Sequence, residues 1–234
     1  MKKWRAYERL VALLTSEEYD EKEFTVIPNA KITGYISKIK RQIDVLVEYR
    51  FDSDLTKRII IDAKNKRRPI DVKEVEAFEG LMRDVNARRG FLICTNGYSK
   101  AALRRSQEHI GIRLIEEKNI ETLDLNSWNP CLDHKCKKGL VLWDATPGIF
   151  HNGIVTVNSI GKCDECGKFH IWCWGCGNKK FLITEDEWQC DCKGLWFYIT
   201  TIEPDDENEY KSEGNYLILV FANATWEILD RRPL

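Results

Sequence analysis

Cysteine is nearly missing from the first half of this chain: of nine cysteines only Cys94 precedes residue 126, and six fall between Cys163 and Cys192. No apolar run approaches the ~20 residues that cross a bilayer. No apolar stretch follows Lys2 and Lys3 as it would in a secretory leader. No internal repeat or low-complexity segment interrupts the pattern. The expectation is therefore a protein with no membrane partner, cytoplasmic and in a reducing compartment, where clustered thiols ligate metal more readily than they pair. A strong excess of one charge is also missing, since the formal net charge is −1. With 43% hydrophobic and 31% charged residues, the composition suits a globular chain that buries a core.

Near-neutrality hides an uneven distribution. Residues 1–125 carry 25 basic against 21 acidic side chains, and residues 126–234 carry 11 against 16. A mildly basic first half is compatible with a polyanion and does not demand one. The periodicity predicts a helix over Lys3–Leu14 with Trp4, Tyr7, Leu10, Val11 and Leu14 as its apolar stripe. It predicts a short strand Phe24–Asn29 stopped by proline, a polar connection over Ala30–Arg41, and strands Gln42–Phe51 and Lys57–Lys64 around a turn. A helix Asp71–Val85 follows, with Asp71 and Glu74 spaced as a capping box, then a strand Gly90–Thr95, a helix after Ser99 and a strand Ile112–Glu116. The fold class is α/β, an αβββαβ mixed sheet with flanking helices over residues 1–125. A smaller, mainly-β, cysteine-rich domain is expected over 126–234, entered by a linker at Asn126–Cys131. Its expected strands are Gly139–Ala145, Lys179–Glu185, Leu195–Ile202 and Asn215–Ile228, with an acidic hairpin loop at Glu203–Gly214.

The stretch "RIIIDAKNKRRPID" carries the chemistry. Side chains two apart on a strand share a face, so Asp62 and Lys64 project together from the end of an apolar strand. In a hairpin centred on Ser53, Asp44 comes nearly opposite Asp62, with side chains ~5 Å apart. Facing carboxylates at the rim of a core are unfavourable unless a cation lies between them. A hard dication such as Mg²⁺ takes one or two carboxylates together with substrate oxygens. Glu8, on or beside the apolar stripe of the first helix, could reach the same centre. Lys64 could orient or deprotonate a water, or stabilise charge developing on a phosphate. Arg41, Lys66, Arg67 and Arg68 stand where a phosphate backbone would approach.

These residues carry a family resemblance. Glu8, Asp44 and Asp62-Ala63-Lys64, with "YERLVALL", "RQIDVLVEY", "IIIDAKN", "PIDVKEVEAF" and "GFLICTNGYSKAA", resemble in order the motifs of the PD-(D/E)xK nucleases, and more closely the Mrr-type restriction endonuclease domain, over about residues 4–116. The resemblance implies a restriction-endonuclease-like fold and a metal-dependent DNA endonuclease using Mg²⁺ or Mn²⁺. It implies Glu8, Asp44 and Asp62 as metal ligands and Lys64 as the catalytic lysine. Many members have Glu where Asp62 stands; the shorter acid is still a hard oxygen ligand. The alternative from another class is a non-cleaving DNA-binding or protein-docking module of the same fold. A Holliday-junction-type resolvase shares the acid-and-lysine pattern. Cutting both strands implies a homodimer on DNA.

The cysteines form two C-x-x-C-G turns, Cys163/Cys166 and Cys173/Cys176, and a C-x-C, Cys190/Cys192. Six thiols exceed the four that one tetrahedral Zn²⁺ takes, so one or two zinc ions are expected. Any two of the three pairs could join. For a second ion His170, His151, Cys131 or Cys136 could complete the set. A thiolate-rich site is closed to water and structural, supplying folding energy to a small domain. That domain could contact a protein partner. The tryptophans near the cysteines are expected to fill its core.

Overall fold

The structure is a computed structural model that describes residues 2–106, 110–116, 128–151, 153–191, 194–202 and 213–234. Helix α1 (Lys3–Glu18) leads into antiparallel strands β1 (Phe24–Thr33), β2 (Lys40–Tyr49) and β3 (Ile59–Lys64). Helix α2 (Val72–Asp84), β4 (Arg89–Cys94), α3 (Lys100–Ser106) and β5 (Ile110–Leu114) follow. The sheet order is β1-β2-β3-β4-β5, and β3, β4 and β5 run parallel, as strands joined by helical crossovers do. The mixed α/β sheet is the one expected from the sequence.

Two local features differ from the sequence reading. Strand β1 passes through Pro28 and continues to Thr33. It is the edge strand of its sheet, where a missing N–H need cost no ladder bond. The expected connection over 30–41 therefore shrinks to a tight turn over 34–39, in which Asp84 accepts from the backbone N–H groups of Ile36 and Ser37. On α1, Trp4 and Leu14 are exposed, while Arg5 and Arg9 are buried beside Tyr7, Leu10 and Val11. Helical spacing located the helix and the middle of its inner face, Tyr7, Leu10 and Val11, but not Arg5 and Arg9, because their guanidinium groups find acids elsewhere in the chain.

Helix α2 matches its sequence signals. Asp71 accepts from Glu74 N–H and Glu74 accepts from Asp71 N–H, both at 3.1 Å, a reciprocal cap. Val75, Phe78, Met82 and Val85 face the sheet and pack with Ile43, Leu46, Ile60 and Leu92.

The second region is all strand among the described residues. It comprises β6 (Asn129–Pro130), β7 (Leu140–Ala145), β8 (Gly148–His151), β9 (Ile154–Cys163), β10 (Phe169–Cys173), β11 (Lys179–Leu182), β12 (Glu187–Gln189), β13 (Trp196–Ile202), β14 (Gly214–Val220) and β15 (Trp226–Pro233). They form one sheet ordered β11-β10-β9-β7-β6, with β8 on β9, and a second ordered β12-β13-β14-β15. The stretch read as a single strand over 215–228 is two, folded back at a turn where Phe221 N–H meets Thr225 O at 2.8 Å. The expected acidic loop, residues 203–212, lies outside the described residues.

The two regions are closely joined. Trp128, in the expected linker, is buried in one apolar cluster with Tyr7, Val11, Val45, Ile61 and Leu142. Beside it lies a ring of buried charges. Arg50 pairs with Asp144 at 3.0 Å and with Asp230 at 2.9 Å, and Lys162 pairs with the same two acids. Glu48 sits between Arg58 at 2.6 Å and Arg231 at 2.5 Å. Burial pushes the Glu48 carboxyl up, but the two guanidinium groups outweigh it and hold it below the usual range. No helix among the described residues is long and apolar enough to cross a membrane.

Candidate functional site

The acidic centre is built by strand register. Strand β2 pairs with β3 through Val45–Ile61, Leu46–Ile60 and Val47–Ile59, and the same register sets Asp44 opposite Asp62. The backbone ladder gives way here: Asp44 Oδ2 accepts from Ala63 N–H at 2.8 Å. On the other side, Asn29 of β1 falls opposite Asp44 in a left-handed conformation, φ 50°. The charge of Asp62 acts directly on the Asp44 carboxyl. Lys64, two residues beyond Asp62 on the same face, places Nζ 2.6 Å from Asp62 Oδ2.

Electrostatics marks this place as frustrated. Burial, then the negative charge of Asp62, then that of Glu8, push the Asp44 carboxyl up to about 7, against the Ala63 N–H that favours its charged form. Burial also raises Glu8, opposed by Arg5 and reinforced by Asp62. Three carboxyls are thus within electrostatic reach of one another. They are less tightly gathered than the cysteines described below, and Glu8 Oε2 is held by Arg5 Nη1 at 2.9 Å. Hard oxygen donors that repel one another when charged are the donor set that suits Mg²⁺ or Mn²⁺.

The four basic candidates separate into two pairs. Arg41 pairs with Asp84 at 3.3 Å, and Lys66 with Glu74. Arg67 and Arg68 are exposed on the turn after β3, with no ion pair among the described residues. Cys94 is buried, its Sγ against the carbonyls of Gly97 and Arg113.

The thiols gather into two clusters, and the first is not one of the pairings among the three close pairs. Cys131 and Cys136 join Cys163 and Cys166, with all four sulfurs within 4.8 Å of one another; the second cluster is Cys173, Cys176 and Cys190. Cys192 lies outside the described residues. Sulfur pairs Cys131–Cys166, Cys136–Cys163 and Cys176–Cys190 stand 3.7 Å apart. A tetrahedron with Zn–S bonds of about 2.3 Å has edges of about 3.8 Å, so both clusters could hold zinc. His170 stands beside the first cluster and outside it. Its Nδ1–H donates to Lys168 O, its Nε2 accepts from Leu132 N–H at 3.2 Å, and burial lowers it to about 4, keeping it neutral. His151 lies against Phe221 and is a member of neither cluster.

Each knuckle repeats one geometry. Cys163 O accepts from Gly167 N–H at 2.9 Å, Cys173 O from Gly177 N–H at 2.8 Å, and Cys190 O from Gly194 N–H at 2.8 Å. All three glycines have positive φ, which L side chains resist. A Cβ at Gly139 would overlap the Cys163 sulfur. The C-x₄-C spacing of Cys131 and Cys136 followed by glycine was the signal that could have placed these two in the first set. The contacts of Arg5 and Arg9 with Asp164 and Glu165, inside the first knuckle, had no local signal at all.

A sequence model described as restriction endonuclease, Mrr_cat, matches residues 2–123, which holds every member of the acidic centre. No curated protein matches the chain. Among solved structures, one described as the crystal structure of protein of unknown function AF1548 aligns at 16% identity over 58% of this chain and 73% of its own, with a TM-score of 0.39. With the family match extending over more than half its length, the chain belongs to the Mrr-type restriction endonuclease family.

Proposed function

We propose that this protein is a metal-dependent endonuclease that hydrolyses phosphodiester bonds in DNA. The observation that carries the proposal is the register of β2 on β3, which sets Asp44 against Asp62 with the Lys64 ammonium on the same rim. Asp44 and Asp62, with Glu8 beside them, would hold a Mg²⁺ or Mn²⁺ ion. When bound, such a dication supplies positive charge at phosphate oxygens and makes water a better nucleophile. Lys64 carries a donor at the same rim, where it can orient water or stabilise negative charge developing on a phosphate oxygen. Arg67 and Arg68, exposed on the adjoining turn, are free to meet the DNA backbone. Arg41 and Lys66 are engaged with Asp84 and Glu74, so they shape the rim instead.

The four-thiol cluster is read as a closed structural zinc site, and the second as another with Cys192 as its expected fourth ligand, leaving hydrolysis to the acidic centre. Two chains on one duplex, each contributing one centre, would cut both strands. A reducing, cytoplasmic setting would keep the thiols free to bind zinc.

The test is cleavage of supercoiled plasmid with and without Mg²⁺ or Mn²⁺. Cleavage should need the cation, and Lys64→Ala and Asp62→Asn should each abolish it while zinc content and circular dichroism stay unchanged. DNA retention without cutting under any divalent ion would overturn the hydrolytic reading in favour of a binding module.

A further inference from the structure

Helix α1 presents Arg5, Glu8 and Arg9 on one face, three and four residues apart. Arg5 divides its guanidinium between two places. Nη1 donates to Glu8 Oε2 at 2.9 Å, beside the acidic centre. Nη2 donates to Glu165 Oε1 at 2.8 Å and to Asp164 O at 2.9 Å, both inside the Cys163–Cys166 knuckle. Arg9 holds the same loop through Asp164 Oδ2 at 2.6 Å and reaches Lys138 O, next to Gly139, at 2.9 Å. Asn29, the residue opposite Asp44, donates its side-chain amide to Asp164 O at 2.8 Å. Asp164 is completed by Leu140 N–H at 2.8 Å and is almost wholly buried. The first knuckle thus reaches the acidic centre from both flanks, through α1 on one side and through β1 on the other.

We propose that Arg5 is a positioning residue that ties Glu8 to the first cysteine knuckle, so that the cation affinity of the acidic centre depends on the knuckle's integrity. This deepens the nuclease reading and rests on it. Arg5 is shared among three acids, Glu8 on its own helix and Glu165 and Asp164 (3.4 Å) of the knuckle. Arg5 fixes one oxygen of Glu8 and leaves Oε1 for a ligand, while Glu165 prevents the guanidinium from swinging away. Partners that orient ligating carboxylates typically matter about 10- to 100-fold for metal affinity or activity.

The sign of the effect separates positioning from simple charge. Removing the Arg5 cation should, by Coulomb's law alone, strengthen binding of another cation nearby. Positioning predicts the reverse. The experiment is Mn²⁺ titration of the full-length, zinc-replete protein by calorimetry without DNA, with zinc content measured for every variant. Arg5→Gln is expected to raise the Mn²⁺ Kd about tenfold or more. Glu165→Gln, which removes only the outer anchor on a half-exposed side chain, should raise it several-fold. Arg5→Lys should fall between, because an ammonium cannot fork to both acids. Glu18→Gln, which breaks a different α1 ion pair with Arg113, should leave it unchanged. The half-saturating Mn²⁺ for plasmid cleavage should rise by the same factors. Unchanged or tighter Mn²⁺ binding in Arg5→Gln and Glu165→Gln, with Asp62→Asn binding lost, overturns the tie alone. Absence of Mn²⁺ binding by the unaltered protein overturns the acidic centre and the tie together.

Discussion

Asp44 is where two demands on one carboxyl collide. Strand pairing buries it against Asp62, and a metal centre needs both groups charged. Its folded-state value near 7 lies above the ordinary 3.8, so without metal the folded protein keeps an extra proton between about pH 4 and 7. The resulting stability is present at the acid end of that window and is lost as pH rises through 7. A dication replaces the proton, so the rise in Tm on adding Mn²⁺ should be larger at pH 8 than at pH 5.5, read by thermal denaturation at fixed ionic strength. An equal rise at both pH values would mean the ion binds elsewhere. This part of the centre was legible because hairpin register follows from strand period and turn position, both local. Arg5 and Arg9 were not legible: their knuckle partners, Asp164 and Glu165, lie more than 150 residues away, and a helical stripe read from hydropathy assigns arginine to solvent.

Elements were legible where their ends carried signals. Helix α2 announces both its cap and its stripe, and Asp71→Ala should cost about 1 kcal/mol of stability in urea unfolding, the usual worth of such a cap. Strands β9 and β10 escaped the sequence reading. Gly161, Ser159 and Asn158 dilute the apolar alternation of β9, and His170 sits inside β10, so neither carries a clean period. The knuckles were legible as turns, and Cys173/Cys176 with Cys190 was among the pairings left open; Cys131 and Cys136 were candidates to complete a second set but not assignable to Cys163/Cys166, since they precede those mates by some thirty residues. Gly167 holds φ +68° at the first knuckle, and a Cβ there would press on the Arg232 guanidinium. Gly167→Ala should therefore destabilise by about 1–2 kcal/mol and lower zinc content, measured by elemental analysis alongside Tm.

At the scale of the whole molecule, the buried ring of Arg50, Asp144, Lys162 and Asp230 decides how the regions unfold. Breaking a buried pair by removing one partner typically costs about 3–5 kcal/mol, because the other charge is stranded. Asp144 also accepts from Val26 N–H and Thr25 Oγ1, so it binds β1 to β7 directly. Asp144→Asn should lower the unfolding free energy extrapolated from urea denaturation by an amount on that scale. With an apolar cluster and a charge ring shared across the boundary, urea unfolding of the zinc-loaded protein should be a single transition by tryptophan fluorescence and circular dichroism alike. Two resolved transitions would mean the regions fold separately. Nothing in either half foretold this, since each charge alone reads as surface.

Glu48 lies in β2, the strand that carries Asp44, and Arg50 directly follows it, yet Arg231, Asp144 and Asp230 reach them from beyond residue 140. A nuclease-family half cut free of its companion would keep an interior guanidinium, Arg50, whose two carboxylates had left with the excised piece, and an interior carboxylate, Glu48, with Arg58 but without Arg231. Grafted beside an unrelated neighbour it would face the same deficit. Recombination among proteins of this design should therefore tolerate exchange of surface loops far more readily than exchange of the cysteine-rich half as a cassette.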